Sequence, residues 1–293
     1  MLLVTGGTGL TGGELVRRLA ALKMPVRVLV RNAAKAAGLA ALPGVEIAAG
    51  DMARPETLAG PLRGVERAML ISSAAPDMLE VQSNFIAAAA QAGVRHVVKL
   101  SGGIPGLDSP FRFARMHAAA ERRLEASGMA FTHLRPGEFM ETYFRNVPAI
   151  VAKGMLLRPM GQARIASIAV ADIAAAAAAV LTGSGHEGKT YPLTGPEALT
   201  MAEVAEKLSA ATGRIVRYVD VPPEEAKRAA LAAGMPAFTA DALDELFAER
   251  RKGAEARVWS TLHDSFGIRA TPFDEFAQRH AAIFRGELPA PLL

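Results

Sequence analysis

The clearest chemical signature of this chain is a glycine-rich turn close to its first residue. The segment after Val4 reads Thr-Gly-Gly-Thr-Gly-Leu-Thr-Gly, and two glycine spacings fit it. Gly7, Gly9 and Gly12 give G-x-G-x-x-G, whereas Gly6, Gly9 and Gly12 give G-x-x-G-x-x-G. In either spacing the middle glycine lets the backbone approach a pyrophosphate, and the last lets a helix pack closely on a strand. The turn therefore predicts a dinucleotide site, with a tight turn that holds no ligand as the alternative.

The residues on both sides of the turn favour the dinucleotide interpretation. Leu2–Val4 is a short apolar run typical of a buried parallel strand. The residues after the turn have the amphipathic pattern of a helix, with Leu15, Leu19 and Leu22 on one face. A helix that starts there offers its free N–H groups and its positive dipole end to phosphates.

A basic position after the second predicted strand distinguishes between two cofactors. Val26–Val30 reads as a strand and is followed by Arg31, with Lys35 one helical turn further on. An acidic residue at this point would accept the ribose 2′-hydroxyl of NAD, whereas a basic one pairs with the 2′-phosphate of NADP. A guanidinium forms forked, charge-assisted hydrogen bonds with phosphate. The sequence therefore favours NADP, and an ordinary surface arginine is the alternative.

Two further strand ends carry residues suited to a nucleotide. Asp51 follows the predicted strand Val45–Ala49. Its carboxylate would accept a hydrogen bond from an adenine amino group or cap the helix that opens near Pro55, and the two roles are compatible. The small residues Ser72–Ala74 follow the predicted strand Ala68–Ile71 and leave room for a dinucleotide to cross the sheet edge.

The order of the predicted elements defines the fold class. Strands alternate with connections long enough for a crossover helix. This alternation predicts an α/β protein with a Rossmann-type, doubly wound parallel sheet that binds ligands at the carboxyl ends of its strands. The predicted strands are Leu2–Val4, Val26–Val30, Val45–Ala49, Ala68–Ile71, Val97–Leu100 and Phe131–Arg135, and the longer predicted helices are Asp77–Ala92 and Phe111–Ser127.

Beyond residue 138 the alternation becomes less regular, which predicts a second part of the molecule. We expect an NADP-binding Rossmann domain over residues 1–150, to which the strands and the helix of residues 162–195 return. Residues 196–293 would form a smaller, mostly helical C-terminal substrate lobe. The predicted helices after residue 138 are Glu138–Val151, Asp172–Leu181, Met201–Thr212, Glu224–Ala233, Ala240–Lys252 and Pro272–Phe284, and the predicted strands are Ile165–Val170, Lys189–Leu193 and Ile215–Val221.

The composition excludes several classes of protein. The 293 residues contain no cysteine, which excludes disulfides, thiolate catalysis and cysteine-ligated metals. No signal peptide is recognisable, and the longest apolar stretch, Ile165–Leu181, is rich in alanine and interrupted by Asp172, so we expect a cytoplasmic protein without a membrane span. The net charge is +4 and the pI is near 9.6. Because the basic residues are scattered over predicted helix faces, solvated faces are favoured over a nucleic-acid site.

With these landmarks in place, the chain resembles the NmrA-like family of atypical short-chain dehydrogenase/reductases over nearly its whole length. The resemblance rests on the order of Thr5 to Gly12, Val30-Arg31-Asn32 with Lys35, Gly50-Asp51, Leu100-Ser101, Ser127-Gly128, Leu134-Arg135-Pro136 with Phe139-Met140, Thr194-Gly195-Pro196, and Thr200-Met201-Ala202-Glu203. It implies NADP contacts at Gly6, Gly7, Thr8, Gly9, Leu10, Thr11, Arg31, Asn32, Lys35, Asp51, Met52, Ser72, Ser73, Ala74, Gly137, Glu138, Phe139 and Met140. The family contains quinone and triarylmethane-dye reductases, and also members that sense the NADP/NADPH ratio and bind other proteins.

One helix departs from the motif that the resemblance implies. Short-chain dehydrogenases commonly use Tyr-x-x-x-Lys, in which the tyrosine transfers a proton and the lysine lowers its pKa and holds the nicotinamide ribose. None of the three tyrosines of this chain has a lysine four residues later. Phe113 stands at the tyrosine position and His117 at the lysine position. Since phenylalanine cannot donate a proton, ordinary carbonyl–alcohol chemistry is disfavoured.

His117 and Ser101 are the candidate catalytic residues, and His117 is also a candidate cofactor contact. Glu121 shares a helix face with His117 at i, i+4, where its carboxylate would orient the imidazole and raise its pKa. His117 would then contact the ribose or donate a proton near the nicotinamide, and a surface ion pair is the alternative. Ser101 is either the counterpart of the serine in short-chain dehydrogenases or a small residue at a strand end. No metal site is predicted, because no third ligand accompanies the pair.

Two functions are compatible with these residues. The first is an NADPH-dependent reductase that transfers hydride to a small apolar or conjugated acceptor, such as a quinone, which needs no tyrosine as an acid. The second is an NADP(H)-sensing regulatory protein that binds a protein partner without catalytic turnover. Because both lack the tyrosine, the sequence does not separate them. It also leaves the oligomeric state open, and a homo-oligomer is compatible with it.

Overall fold

A computed structural model describes residues 1–291 of the chain. Its strands are β1 (Leu2–Val4), β2 (Val26–Val30), β3 (Val45–Ala49), β4 (Arg67–Leu70), β5 (His96–Leu100), β6 (Ala130–Pro136), β7 (Met155–Arg158), β8 (Lys189–Leu193) and β9 (Arg217–Asp220). Its α-helices are α1 (Leu10–Ala21), α2 (Ala37–Ala40), α3 (Ala59–Leu62), α4 (Met78–Gln91), α5 (Arg112–Glu125), α6 (Val147–Lys153), α7 (Val170–Thr182), α8 (Met201–Thr212), α9 (Pro223–Ala232), α10 (Ala237–Arg251), α11 (Thr261–Phe266), α12 (Phe273–Arg279) and α13 (Ala281–Phe284). Short 3₁₀ helices cover Ala33–Ala36, Pro55–Thr57 and Met140–Asn146. Within these described residues, no helix is both long and apolar enough to cross a membrane.

Seven of the strands form one sheet, in the order β3-β2-β1-β4-β5-β6-β8. The five neighbouring pairs among β1 to β6 all run parallel, and Val4 of β1 pairs with Val28 of β2 and with Met69 of β4. The strand order reverses beside β1, which creates the switch point where doubly wound sheets bind ligands at their carboxyl ends. The Rossmann-type sheet expected from the alternation of strands and helices is confirmed.

The described chain divides into two compact units. The first contains residues 1–108, 113–136 and 170–192, and therefore the large sheet. The second contains residues 109–112 and 137–169 and the chain from residue 193 onward. Residues 137–150, which the sequence analysis assigned to the N-terminal domain, thus lie in the second unit. Residues 162–195 were expected to return to the first unit, and only residues 170–192 do so; they include α7 and all of β8 except Leu193.

Alanine allows the helices of the first unit to pack closely. Helix α7 buries the run Ala174–Ala178 and packs against α1. Small side chains let two helix backbones approach each other, and Leu15 and Leu19 of α1 are then fully buried. Leu22, the third leucine of the predicted helix face, lies just past the end of α1 and is 54% exposed. Only the first two leucines belong to the buried face.

The second unit is rich in helices and has an aromatic core. Phe144 stacks on Phe276 with their ring centroids 5.6 Å apart, and Tyr143 meets Phe273 edge-on at 5.1 Å. Its only sheet in the described chain is the parallel pair of β7 and β9. Helix α8 has the predicted bounds, because Thr200 and Glu203 form a capping box at its N-terminus.

The predicted strand Ile165–Val170 is wrong. Ile165 N–H donates to Leu199, Ala166 N–H to Glu255, and Ile168 N–H to Glu138. Because successive residues bond to three separate parts of the chain, no continuous ladder forms, and only isolated bridges remain. Helix α7 then begins at Val170.

Two predicted helices of the second unit are interrupted. The segment predicted over Glu138–Val151 is a 3₁₀ helix followed by α6, and Pro148 lies in the first turn of α6. Proline suits a first turn but not a helix interior, which explains the break. The segment predicted over Pro272–Phe284 divides at His280 into α12 and α13. Strand β7 and helix α11 were not predicted.

Candidate functional site

The glycine turn connects β1 to α1 through one residue in the left-handed region. Gly6 has φ of +62°, which favours glycine. The Gly9 N–H donates to the Gly6 carbonyl at 3.0 Å, and the Gly13 N–H donates to the Gly9 carbonyl at 2.8 Å. Gly9 is therefore the N-cap residue of α1. The N–H groups of the first helical turn have no partner within the helix and point out of its N-terminus.

The glycines of the turn have different tasks. A Cβ atom on Gly12 would lie 2.3 Å from the Gly6 carbonyl oxygen, and one on Gly7 would lie 2.2 Å from Val28 Cγ1. Gly12 is therefore required where α1 packs against the turn, and Gly7 where the turn packs against β2. A Cβ on Gly9 would meet only the Gly6 oxygen, at 3.4 Å, and Gly9 is exposed. The protein itself therefore has room for a side chain at Gly9.

This geometry fits a dinucleotide. An exposed glycine at a helix N-terminus, where nothing in the protein fills the space of a Cβ, lets a phosphate approach the backbone closely. The neighbouring Thr8 is exposed, Leu10 is half-buried and Thr11 is buried. Thr5, which the sequence analysis did not select, joins the ends of β1 and β4, since its hydroxyl donates to the Ile71 carbonyl at 2.6 Å and accepts from the Ile71 N–H at 2.7 Å.

The residues predicted to recognise the 2′-phosphate follow β2. Arg31, Asn32 and Lys35 are exposed. Asn32 Oδ1 accepts from the Ala34 N–H at 2.9 Å and so caps the short 3₁₀ helix that carries Lys35. Neither Arg31 nor Lys35 has an ion-pair partner within residues 1–291. Two unpaired cations at the end of β2 are what a phosphate site requires.

Asp51 has a structural role in the loop after β3. Its Oδ1 accepts from the Ala53 N–H at 3.0 Å, and its Oδ2 lies 3.7 Å from Arg54 Nε. The contact with the Ala53 N–H closes a tight turn, whereas the 3₁₀ helix Pro55–Thr57 has Arg54 as its N-cap and no side-chain cap hydrogen bond. The capping role predicted for Asp51 is therefore wrong, and its adenine contact stays a prediction. The adjacent Met52 is half-buried, and its carbonyl accepts from Asn84 Nδ2 at 3.0 Å.

The small residues after β4 lie beside a buried amide. Ser72 is half-buried, while Ser73 and Ala74 are exposed. Ser72 Oγ accepts from Gln82 Nε2 at 2.8 Å. Gln82 is 1% exposed, and its Oε1 has no hydrogen-bond partner within residues 1–291.

The end of β5 holds a cluster that the sequence analysis only partly identified. Lys99 is fully buried, and its Nζ lies 3.0 Å from His117 Nδ1 and 3.1 Å from Ser101 Oγ. The structure therefore brings both candidate catalytic residues together, around a lysine that was not selected. Its signal was present in the sequence, because a lysine inside an apolar strand must be either paired or functional.

The predicted pairing of His117 with Glu121 is wrong. Glu121 binds Arg135 of β6, with Oε1 3.0 Å from Nε and Oε2 2.5 Å from Nη2, and it also accepts from the Ser101 hydroxyl. A bidentate guanidinium is a stronger partner than an imidazole one turn away. The expected rise in the pKa of His117 is wrong too. Burial, and then the charge of Lys99, hold the pKa of His117 well below its usual value.

Burial also sets the protonation of Lys99. Desolvation disfavours the ammonium form and lowers the pKa of Lys99 to about 7, with Glu121 acting to raise the pKa and Arg135 to lower it. No carboxylate forms a hydrogen bond with Lys99 Nζ within the described residues; its partners there are Ser101 and His117. Phe113, at the position that a tyrosine would occupy, is 7% exposed and has no group that titrates.

The last predicted cofactor residues, Gly137, Glu138, Phe139 and Met140, belong to the second unit. Glu138 is buried with the guanidinium groups of Arg158 and Arg250, the latter with Nη1 2.9 Å from Oε1. Burial would raise the pKa of Glu138, but the two cations outweigh it and lower the pKa to about 2. Met140 is 1% exposed in the aromatic core. The ion pairs of Glu138 were not predicted from the sequence.

The chain is similar to known proteins over nearly its whole length. The profile of the NmrA-like family matches residues 1–276. The chain is 43% identical over 284 residues to an NAD(P)H azoreductase of Xenophilus azovorans, covering 97% of this chain and 99% of that protein. The structure of an Escherichia coli NADPH-dependent quinone oxidoreductase with NADPH matches 95% of this chain and 99% of that chain, with a TM-score of 0.86 and 33% identity.

A third similar protein is a reductase of another class of compound. The structure of a Citrobacter sp. triphenylmethane reductase complexed with NADP(H) has a TM-score of 0.86 and 30% identity, and the match covers 96% of this chain and 100% of that chain. The family profile, the relatives and the shared fold all extend over nearly the whole chain. This protein belongs to the NmrA-like family.

Proposed function

We propose that this protein is an NAD(P)H-dependent reductase that prefers NADPH and passes hydride to a small conjugated acceptor, such as a quinone or an azo compound. The observation that carries the proposal is the glycine turn, where the exposed Gly9 lies at the start of α1 with space for a Cβ. The relatives named above reduce quinones, azo compounds or triphenylmethane dyes, according to their names.

Residues near the carboxyl ends of the strands would bind different parts of the cofactor. The first turn of α1 binds the pyrophosphate, and Arg31 with Lys35 binds the 2′-phosphate, because both cations are exposed and unpaired in the described chain. Asp51, Ser72 and Ser73 contact the adenosine half or the sugars. The bound cofactor supplies the hydride.

The missing tyrosine restricts the acceptors. Phe113 has no proton to give, so we infer that a substrate which needs a tyrosine acid, such as a simple ketone, is a poor one. Conjugated acceptors spread the negative charge that hydride transfer creates, and cationic dyes are neutralised by it. Such acceptors depend less on a strong acid placed next to one oxygen.

The test is steady-state oxidation of NADPH with a panel of quinones and azo dyes, compared with the rate without protein. Turnover above that rate supports the reductase. NADPH binding in a calorimetric titration, combined with no turnover across the panel, would instead favour a regulatory protein that senses NADP(H) and acts on a protein partner. Absence of both binding and turnover would remove the cofactor from the proposal.

A further inference from the structure

We propose that Lys99 and His117 form a proton-supply pair for the acceptor: His117 gives up the proton on Nε2, and the Lys99 ammonium returns one to Nδ1. The proposal rests on the reductase function proposed above and identifies the groups that complete the reduction after hydride transfer. It assigns a role to Lys99, which has no counterpart in the Tyr-x-x-x-Lys arrangement, where the lysine lies on the helix rather than on the strand.

The hydrogen bonds fix which nitrogen of His117 carries the proton. In its ammonium form Lys99 Nζ has donors and no acceptor, so Nδ1 of His117, 3.0 Å away, is the acceptor. The low pKa of His117 keeps the imidazole neutral, and its single proton therefore lies on Nε2. No residue within 1–291 forms a hydrogen bond with Nε2, which leaves this N–H free to donate to an acceptor.

A glycine keeps the Nε2 edge of His117 open. A Cβ atom on Gly102 would lie 3.0 Å from His117 Cδ2 and 3.6 Å from Nε2. The absence of a side chain at Gly102 uncovers the part of the ring from which the proton would leave. His117 itself is half-buried, whereas Lys99 behind it is fully buried.

The surroundings of Lys99 poise it to lose a proton near neutral pH. The charged and titratable groups around it are His117 and Glu121 from α5 and His133 and Arg135 from β6. The Glu121 carboxylate is bound by the Arg135 guanidinium, which largely balances its charge. Glu121 is therefore not a direct partner of Lys99. Ser101 Oγ accepts from Lys99 and donates to Glu121, which fixes the amine in place.

The proton transfer balances without a further reagent. Hydride addition gives a reduced acceptor that carries a negative charge, and this anion takes the proton from His117 Nε2. At the same time Nδ1 takes a proton from the Lys99 ammonium. The products are the neutral reduced acceptor, a neutral imidazole with its proton on Nδ1, and a neutral lysine amine. Before the next turnover a proton from water is added at His117 Nε2 and the Nδ1 proton returns to Lys99 Nζ, which restores the starting state with one proton consumed.

The proposal separates acceptors by their need for a proton. Hydride addition to one nitrogen of an azo bond leaves an anion on the other, which must be protonated. Hydride addition to the central carbon of a cationic triphenylmethane dye gives a neutral product and needs no proton. The ratio of the two kcat values therefore measures proton supply, while effects on cofactor binding and hydride transfer cancel.

The experiment compares this ratio in the unmodified protein, in Lys99→Met and in His117→Gln. Because a positioned acid contributes roughly 10²–10⁴-fold, the ratio of azo to triphenylmethane turnover should fall by about 100-fold in both variants. Lys189→Met changes an exposed strand lysine of β8 and should leave the ratio unchanged. An unchanged ratio in Lys99→Met and His117→Gln, or an equal fall with both dyes, would overturn the proton-supply pair and leave the reductase function standing.

A second measurement does not depend on turnover. ¹⁵N NMR of labelled histidine should show His117 with its proton on Nε2, and its shifts should follow a titration with a midpoint near 7 that disappears in Lys99→Met. A proton on Nδ1 below that midpoint, or a midpoint that survives in Lys99→Met, would contradict the pair. If the unmodified protein reduces neither dye, the reductase function fails, and with it the role of the pair toward an acceptor.

Discussion

Glu138 in the second unit and Lys99 in the first are both buried charged residues, but they differ in their partners. In the second unit Glu138 is enclosed with Arg158 and Arg250, and Arg250 also binds Glu255 at 2.5 Å. Every charge in that cluster has an opposite charge within bonding distance. In the first unit the buried Lys99 has only an imidazole and a hydroxyl as its direct partners.

The difference separates a charge cluster that holds a structure from one that is able to exchange protons. Paired carboxylates and guanidiniums move one another's pKa values away from neutrality, as the low pKa of Glu138 illustrates. Lys99 is desolvated without such compensation, which brings its pKa to about 7. A group of this kind costs stability when it is charged, and groups with pKa values perturbed in this way are concentrated at functional sites.

Glu138→Gln gives the largest expected effect, because it leaves two buried guanidiniums without their shared carboxylate. Breaking a buried ion pair from one side costs about 3–5 kcal/mol. The free energy of unfolding in urea should fall by that amount. Glu275→Gln removes an exposed partner of Arg269 and should change it little. A fall for Glu138→Gln as small as that control would mean that the cluster of the second unit is not tightly paired.

Lys99→Met should remove a pH dependence of the unfolding free energy that the buried lysine causes in the first unit. The pKa of Lys99 is about 7 when folded and about 10.4 when unfolded, so the unfolded chain binds the extra proton between these values. Relative to Lys99→Met, the unmodified protein should therefore gain about 2–3 kcal/mol of stability as the pH rises from 7 to 9. Parallel stability curves for the two proteins would show that Lys99 keeps an ordinary pKa.

Arg31→Ala tests whether the unpaired cations of the first unit serve a ligand. One charge-assisted hydrogen bond is worth about 1.5–3 kcal/mol, so the ratio of NADPH to NADH affinity should fall by one to two decades in calorimetric titrations. Arg122→Ala, an exposed arginine on α5, is the control and should leave the ratio unchanged. Equal affinity for both cofactors in the unmodified protein would show that Arg31 does not recognise the phosphate.

The sequence predicts the sheet well because the information for it is local. Val26–Val30 and Val45–Ala49 are apolar runs bounded by turn residues, and the strand bounds agree with the prediction. Segment Ile165–Val170 has a similar composition but forms only isolated bridges, because its hydrogen-bond partners come from three distant parts of the chain. That arrangement is not encoded locally.

In the candidate site, too, the contacts that the sequence did not predict join residues far apart in the chain. The spacing of His117 and Glu121 on one helix was correct, but the pairing was not, because Arg135 from the neighbouring strand competes for the carboxylate. The lysine that the helix lacks is present on β5, and only the packing of β5 against α5 brings Lys99 to His117. The glycine turn was recognisable because its tasks depend on a few consecutive residues.

The most direct test of the whole account is Gly9→Val, measured by NADPH titration and by dye turnover in the same preparation. The protein has space for a side chain there, so the unfolding transition should be retained, whereas a valine would occupy the place of the pyrophosphate. The account predicts that NADPH binding and NADPH-dependent reduction are both lost in a folded protein. Unchanged NADPH affinity in Gly9→Val would contradict it, because the cofactor would then bind somewhere other than the glycine turn.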